Sequence, residues 1–318
     1  MRKNYYLNIT YAFFSYINFR FFGKSFNNTS QAMVNIYTKD SGLFMNKMHR
    51  LISYKKKNKK ELKHYDFSLV NLEKNGYQIL NQSIENKKVT ELNKLANKLE
   101  CFDGYSKKRF DNKNLTSVRY NFDKNDLIND KTVQRLVADE FFISIARRYF
   151  DSEPIFDLPA MWWSTAYKKQ ASSEAAQLYH YDCNGRVKWL KIFIYLTDVD
   201  ENNGPHYYIQ KTHKIGSKPK EILSRGYVRV SDNEMKNIYP EKDFKIVTGK
   251  KGTTFVGDTL CWHKGKNLIK GKRLVLELNY TSSLYGLNEG KLTVKKFDKR
   301  FKEFCLKNKI YSKNILFV

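Results

Sequence analysis

The sequence has few of the residues that staple or metallate small folds. Its four cysteines, Cys101, Cys183, Cys261 and Cys305, lie far apart and form no CxxC pair. That excludes a zinc ribbon and points to unpaired thiols in a reducing, cytoplasmic setting. Five prolines and 15 glycines in 318 residues leave no collagenous or low-complexity stretch. No run of about 18 uninterrupted apolar residues occurs, so nothing reads as a membrane span. Acid is also scarce: 32 Asp and Glu stand against 58 Lys and Arg, a formal net charge of +26. Arginine supplies 13 of those cations, whereas surfaces that grip phosphate or read bases favour its planar fork. The lysine excess, accompanied by much Asn, Ile and Tyr, reads as a compositional bias on a solvated surface. No specific nucleic-acid partner is expected.

What is present suffices for a globular fold, with 41% hydrophobic residues. Residues 1–60 read as a basic, aromatic-rich extension. "MRKNYYLNITYAFFSYINFRFF" resembles a poor signal peptide, broken by Asn8, Thr10, Ser15 and Asn18 and followed by no small-residue cleavage site. A helix packed on the main domain is the expectation, with a helix lying on a membrane surface as its rival. The lysine run "YKKKNKKELKH" at 54–64 reads as a solvated linker or helix face. From 61 to 150 the pattern is largely helical. A turn at Asn75-Gly76 leads into a short strand, Tyr77 to Leu80, and an amphipathic helix follows with Val89, Leu92, Leu95 and Leu99 on one face. One further helix is predicted over 131–150.

Beyond Asp151 the character changes. "PIFDLPAMWWSTAY", "VKWLKIFIYLTDV", "PHYYIQKT", "DFKIVTGKKGTTFVG" and "RLVLELNYT" are strand-like runs separated by Gly, Asn and Pro turns. A helix "SDNEMKNIY", capped by Ser231 or Asp232, interrupts them. Short strands at this spacing predict an antiparallel sandwich or jelly roll over 151–285, with a C-terminal tail at 286–318. In the run Val187–Val199, Leu190, Ile192, Ile194 and Leu196 point one way. Trp189, Lys191, Phe193, Tyr195 and Thr197 point the other, a mixed face that suits the lumen of a barrel holding a polar ligand or an ordinary half-exposed strand.

Chemistry is concentrated around "LYHYD", Leu178 to Asp182. Residues at i and i+2 of an extended chain project to the same side, so His180 and Asp182 can reach one point. They supply two thirds of the 2-His-1-carboxylate triad that holds non-haem Fe(II) and leaves one octahedral face open. The chain has six histidines, which leaves few candidates for the third ligand. His49 lies in the extension, His64 in the lysine run, and His206 and His213 flank a turn and a strand end. His263 closes the Gly-punctuated strand "GTTFVGDTLCWHKG". Ten residues later Arg273 opens "RLVLELNY"; an inward arginine there is costly unless an anion pairs with it, and its fork suits a carboxylate.

An HxD, a distal His and an Arg about ten residues on resemble the Fe(II)/2-oxoglutarate oxygenases, and specifically the phytanoyl-CoA dioxygenase-like family. "LEKNGYQIL", "LKIFIYLTDVDENNGPHYYIQKTHK" and "GTTFVGDTLCWHKG" resemble its opening strand, its core strands and the strand of its distal His, so the likeness spans about 68 to 283. It implies a double-stranded β-helix core flanked by helices. It further implies His180, Asp182 and His263 as iron ligands, Arg273 as partner of the distal carboxylate of 2-oxoglutarate, and Phe193 against that cosubstrate. Two departures stand out. Gly265 replaces the Ser or Thr common two residues past the distal His, and "KTH" (Lys211-Thr212-His213) replaces "GSH". Related halogenases lack the carboxylate, so Asp182 implies hydroxylation by O2, with 2-oxoglutarate converted to succinate.

The substrate is not specified by the likeness. A small-molecule or carrier-linked compound is the expectation; the basic surface would favour an anionic one and reads equally well as composition. Trp162 and Trp163 read either as lining its pocket or as core packing, and 214–245 reads either as a lid or as a connecting insertion. Two rivals remain open: a cupin-like protein using another metal without 2-oxoglutarate, which has no need of Arg273, and a non-enzymatic basic protein binding membrane or nucleic acid.

Overall fold

The computed structural model describes residues 4–55, 69–80, 84–173, 175–183, 185–287 and 290–318. His64 and the lysine run from residue 56 onward lie outside the described residues. The chain opens with helices α1 (Tyr5–Phe22), α2 (Thr29–Asp40), α3 (Leu43–Ile52) and α4 (Val70–Asn75), then β1 (Tyr77–Ile79) and α5 (Asn86–Lys98). Next come β2 (Cys101–Asp103), β3 (Arg119–Phe122), α6 (Lys124–Ile128), α7 (Lys131–Val137) and α8 (Glu140–Phe150). The β-rich part comprises β4 (Ile155–Thr165), β5 (Trp189–Tyr195), β6 (His206–Ile209), β7 (Phe244–Val247), β8 (Thr254–Asp258), β9 (Trp262–Gly265) and β10 (Lys272–Thr281). Short helices α9 (Lys220–Leu223) and α10 (Asp232–Ile238) separate β6 from β7, and β11 (Leu292–Val294), α11 (Lys299–Lys307) and β12 (Ile315–Phe317) follow β10.

Two expectations about element boundaries are corrected. The helix read over 131–150 is two, because Asp139 turns extended and its carboxylate accepts from the Phe141 amide at 3.1 Å, starting α8 afresh. The run "DFKIVTGKKGTTFVG" is likewise two strands, β7 and β8, which lie in different sheets. Ser231 caps α10, its hydroxyl accepting from the Glu234 amide.

Alternation along the central strands builds the layers. A seven-stranded sheet runs β1-β8-β5-β10-β4-β3-β2, and a three-stranded sheet runs β7-β6-β9. Leu190, Ile192, Ile194 and Leu196, with Leu274, Leu276 and Leu278 of β10, face the core beneath α5 to α8. The opposite parity, Phe193, Tyr195 and Val275, meets Tyr208 and Val247 of the small sheet and Phe255 of β8. These two sheets enclosing an interior make the jelly roll that the strand pattern predicts, the double-stranded β-helix that the family resemblance implies.

The ends of the chain share these cores. Leu292, Val294, Phe301, Cys305, Tyr311 and Ile315 join the helix-side core. Ala12, Met33, Ile36, Tyr37 and Met45 pack against Tyr179, Tyr181, Cys183 and Trp262, which border the histidines and aspartate singled out above. Contact is closest at Gly185, where φ is +75° and a Cβ would stand 2.6 Å from the Ser30 Cα of α2. Gly286 in turn lies so near the Gly185 carbonyl that its own Cβ would come within 2.3 Å.

Gly216 has the same φ of +75° but nothing within 4 Å of its Cβ position, so the pair separates backbone strain from steric contact. Gly216→Ala is expected to cost about 1 kcal/mol. Gly185→Ala should cost roughly 3 kcal/mol, because strain and overpacking add. Denaturant unfolding of both variants beside the parent checks the difference, and equal midpoints would remove the buttressing role given to α2.

Candidate metal centre and its pocket

The two histidines come together through their backbones. Residues 180 and 263 form an antiparallel bridge: the His180 amide donates to the His263 carbonyl at 3.0 Å and the reverse bond is 2.9 Å. Side chains directly opposite in such a pair share a face, and the imidazole centroids are 4.3 Å apart. Each Nδ1 lies against a carbonyl, Leu178 at 2.9 Å and Cys261 at 2.8 Å. That contact places the proton on Nδ1 and leaves the Nε2 lone pair for a metal. Asp182, two residues on, completes the group: Nε2 of His180 is 3.9 Å from Oδ1 and Nε2 of His263 is 3.5 Å from Oδ2. One ligand atom from each residue lies within 4.8 Å of the others, and all three residues are buried.

The loop that delivers these residues is held at several points. The Asp182 amide donates to the Thr259 carbonyl at 2.7 Å. Asp258 ends β8 and accepts from the Leu260 amide at 2.9 Å, turning the chain into β9. The Thr212 hydroxyl of "KTH" accepts from the Trp262 amide at 2.8 Å, so this departure from the family pattern pins the strand of the distal histidine.

Electrostatics favour a neutral His180 and an ionised Asp182. Burial, together with the neighbouring His263, pushes His180 well below its ordinary value. Burial alone would raise Asp182. Lys191, whose Nζ is 2.9 Å from Oδ2, outweighs it and holds the carboxyl well below the usual range. Lys191 also lies 3.6 Å from Glu277 Oε1, and Tyr227 donates to Asp182 Oδ1 at 3.2 Å. A carboxylate offers about four lone-pair positions, so these contacts leave room for a metal.

Arg273 is 3% exposed. One terminal nitrogen donates to Ser164 Oγ at 3.2 Å, while Nε and the other terminal nitrogen are buried with no partner. Burial pulls the guanidinium down to about 10, still charged near neutrality. A buried cation with two idle donors calls for an anion. Gly265 makes room for it, since a Cβ there would stand 3.3 Å from the arginine.

A cavity of about 90 Å³ brings together His180, Asp182, His263, Arg273, Phe193 and Trp162. Phe193 stacks on Phe255 with centroids 5.0 Å apart. Trp163 does not reach the cavity: the next residue on a strand faces the other way, and it lies in the helix-side core, stacked on Phe110. His49 is bound to the Phe150 carbonyl and His213 to that of Glu73. His206 lines the cavity beside Tyr195, without joining the metal-ligand group. The segment 214–245 lies against the site, joined by two 2.9 Å bonds between Tyr179 and Val230. Sequence reasoning missed Arg119, Ser164, Glu277 and Tyr227. Arg119 stacks on Trp162 at 4.1 Å from the ring centroid and flanks Ser164 on the side opposite Arg273.

The sequence profile of Phytanoyl-CoA dioxygenase (PhyH) matches residues 72–269, more than half of the chain. No functionally curated protein matches in sequence. Among solved structures, HygX from Streptomyces hygroscopicus with nickel and 2-oxoglutarate bound superposes with a TM-score of 0.50 at 15% identity, covering 67% of this chain and 85% of its own. EctD from S. alaskensis with bound Fe gives 0.48 at 16%, over 72% and 80% of the two chains. The non-heme alpha ketoglutarate dependent epimerase SnoN from nogalamycin biosynthesis gives 0.48 at 14%, over 70% and 84%. At 15% identity the likeness to HygX is one of fold. Profile match and fold, with a His-Asp-His site beside a buried arginine, place the chain in the phytanoyl-CoA dioxygenase family of Fe(II)/2-oxoglutarate-dependent oxygenases.

Proposed function

We propose that the protein is a hydroxylase acting on an anionic small molecule. The observation that carries the cosubstrate assignment is Arg273, a buried guanidinium with two idle donors in the same cavity as three convergent metal-ligand atoms. His180 Nε2, Asp182 and His263 Nε2 would hold Fe(II), and Arg273 would take the distal carboxylate of 2-oxoglutarate. When bound, iron and 2-oxoglutarate supply the O2-dependent oxidation, with loss of CO2 from the cosubstrate. The chain's own residues do the rest. Carbonyls fix the imidazole tautomers, Lys191 and Tyr227 hold the carboxylate, and Ser164 steadies Arg273. Phe193 and Trp162 wall the cavity with apolar surface. Asp182 occupies the position that a halogenase leaves free, which favours hydroxyl transfer. A cupin-like protein without 2-oxoglutarate would leave Arg273 unexplained.

Charge supports the anionic substrate. Arg119, Arg273 and Lys191 line the cavity, with Asp182 and Glu277 as its carboxylates. Arg229 lies over the Tyr227 ring at 5.5 Å, with one buried terminal nitrogen lacking a partner. Fe(II) and 2-oxoglutarate cancel each other in charge. Four cations against two carboxylates leave a positive remainder that a substrate anion would offset.

Anaerobic addition of Fe(II) and 2-oxoglutarate to the purified protein is expected to give a weak visible charge-transfer band. His180→Ala should abolish the band. Arg273→Ala should weaken 2-oxoglutarate binding by about 100-fold, the cost of leaving a buried charge unpaired. A metal-loaded parent with no band ends the 2-oxoglutarate reading.

Succinate release measured over a panel of metabolites tests the substrate class. Anionic compounds should stimulate it in the parent and fail to do so in Arg229→Met, whose 2-oxoglutarate affinity should stay within about twofold. Equal stimulation by neutral compounds would discard the anionic substrate while leaving the cosubstrate assignment standing.

A further inference from the structure

Helix α1 covers a side of small and polar residues and leaves an aromatic side uncovered. Its inner side places Asn8, Ala12 and Ser15 fully inside, with Tyr5, Ile9, Tyr16 and Phe19 half-buried against the cluster behind the metal loop. Its outer side carries Tyr6, Phe13, Phe14, Ile17 and Phe21, spaced i, i+7, i+8, i+11 and i+15 and so aligned in one stripe. Tyr6 and Phe21 are 78% exposed, Phe13 and Phe14 55%, and Ile17 36%. Scattered exposed apolar residues are ordinary; five on one helical stripe are not.

The helix cannot roll to hide this stripe. Ser15 Oγ is hydrogen-bonded to Thr29 Oγ1 at 2.5 Å and accepts from the Phe26 amide at 2.8 Å. Asn35 donates to Asn8 at 3.2 Å, and the Tyr285 hydroxyl donates to the Ala12 carbonyl. These bonds fix the polar, small-residue side inward.

We propose that the outer face of α1 docks on a membrane surface of anionic phospholipid, lying in the interface without crossing it. Among the described residues no helix is long and apolar enough to span a bilayer. The chemistry around the stripe selects lipid over protein. Aromatic rings suit the headgroup boundary, and Arg20 and Lys24, both exposed, flank its C-terminal end within reach of lipid phosphates. Helix α1 itself carries no Asp or Glu, and Asp40, which accepts from the Tyr5 hydroxyl at 3.2 Å, meets it at the half-buried Tyr5 and not on the exposed stripe. A second copy of the chain is disfavoured by charge, since each brings +26. One helix about 27 Å long also offers a small share of the area a stable dimer needs.

The test uses the full chain and vesicles of phosphatidylcholine, with or without about 30% phosphatidylglycerol, in co-sedimentation at low salt. The parent should sediment with the anionic vesicles and remain in solution with the neutral ones. A Phe13→Ser, Phe14→Ser, Phe21→Ser triple variant should lose roughly tenfold in partitioning, at an unchanged thermal midpoint. An Arg20→Glu, Lys24→Glu double variant should lose a comparable factor. A parent that stays in solution with anionic vesicles overturns the proposal. So does a triple variant that sediments like the parent, because the lysines at large would then carry the binding. Light scattering that shows a dimer in the parent and a monomer in the triple variant assigns the face to self-association and also overturns it.

Discussion

Two backbone hydrogen bonds between His180 and His263 are what the rest of the site depends on. The residues are far apart in sequence, and no local preference brings them together. The bridge fixes both imidazoles on one face, sets their spacing, and aims both Nε2 atoms at the carboxylate that the period of the extended chain puts two residues further on. Much of the architecture serves to keep this bridge in register. The main sheet anchors β8, Asp258 and Thr212 steer the chain into β9, and the N-terminal helices press on the loop that holds Asp182. The helices ahead of the β-rich part are thus a support for the metal loop from behind.

Buried charge is the second constraint. The cavity gathers arginine, lysine and carboxylate in a space of about 90 Å³, where an unpaired ion costs far more than on the surface. Lys191, Asp182 and Glu277 satisfy one another. Arg273 keeps two donors idle and Arg229 one. The idle donors of Arg273 mark where the cavity would pair an anionic ligand, and that ties electrostatics to function here.

The parts legible in the sequence were those with a local signature. The HxD spacing needed no fold to be singled out, His263 and Arg273 were chosen through the family resemblance, and the alternation along β5 separates the two faces found in the structure. What stayed hidden was set by strand order. Arg119 and Ser164 lie beside Arg273 because β3, β4 and β10 are neighbours in the sheet, which no spacing along the chain reveals. Trp162 and Trp163 are neighbours in sequence, yet adjacent residues on a strand face opposite ways, and Trp163 belongs to the helix-side core while Trp162 lines the cavity. The single helix read at 131–150 failed for a smaller reason: apolar periodicity continues across Asp139, while the carboxylate there caps a new helix.

The ammonium of Lys191 has a bearing on how the protein matures. Asp182 is already neutralised from behind by a protein cation at 2.9 Å, so its burial does not wait on a metal. Many metal sites built from bare carboxylates repel themselves open when empty and close only around their ion. Here the chain can reach its native packing first and take up iron afterwards.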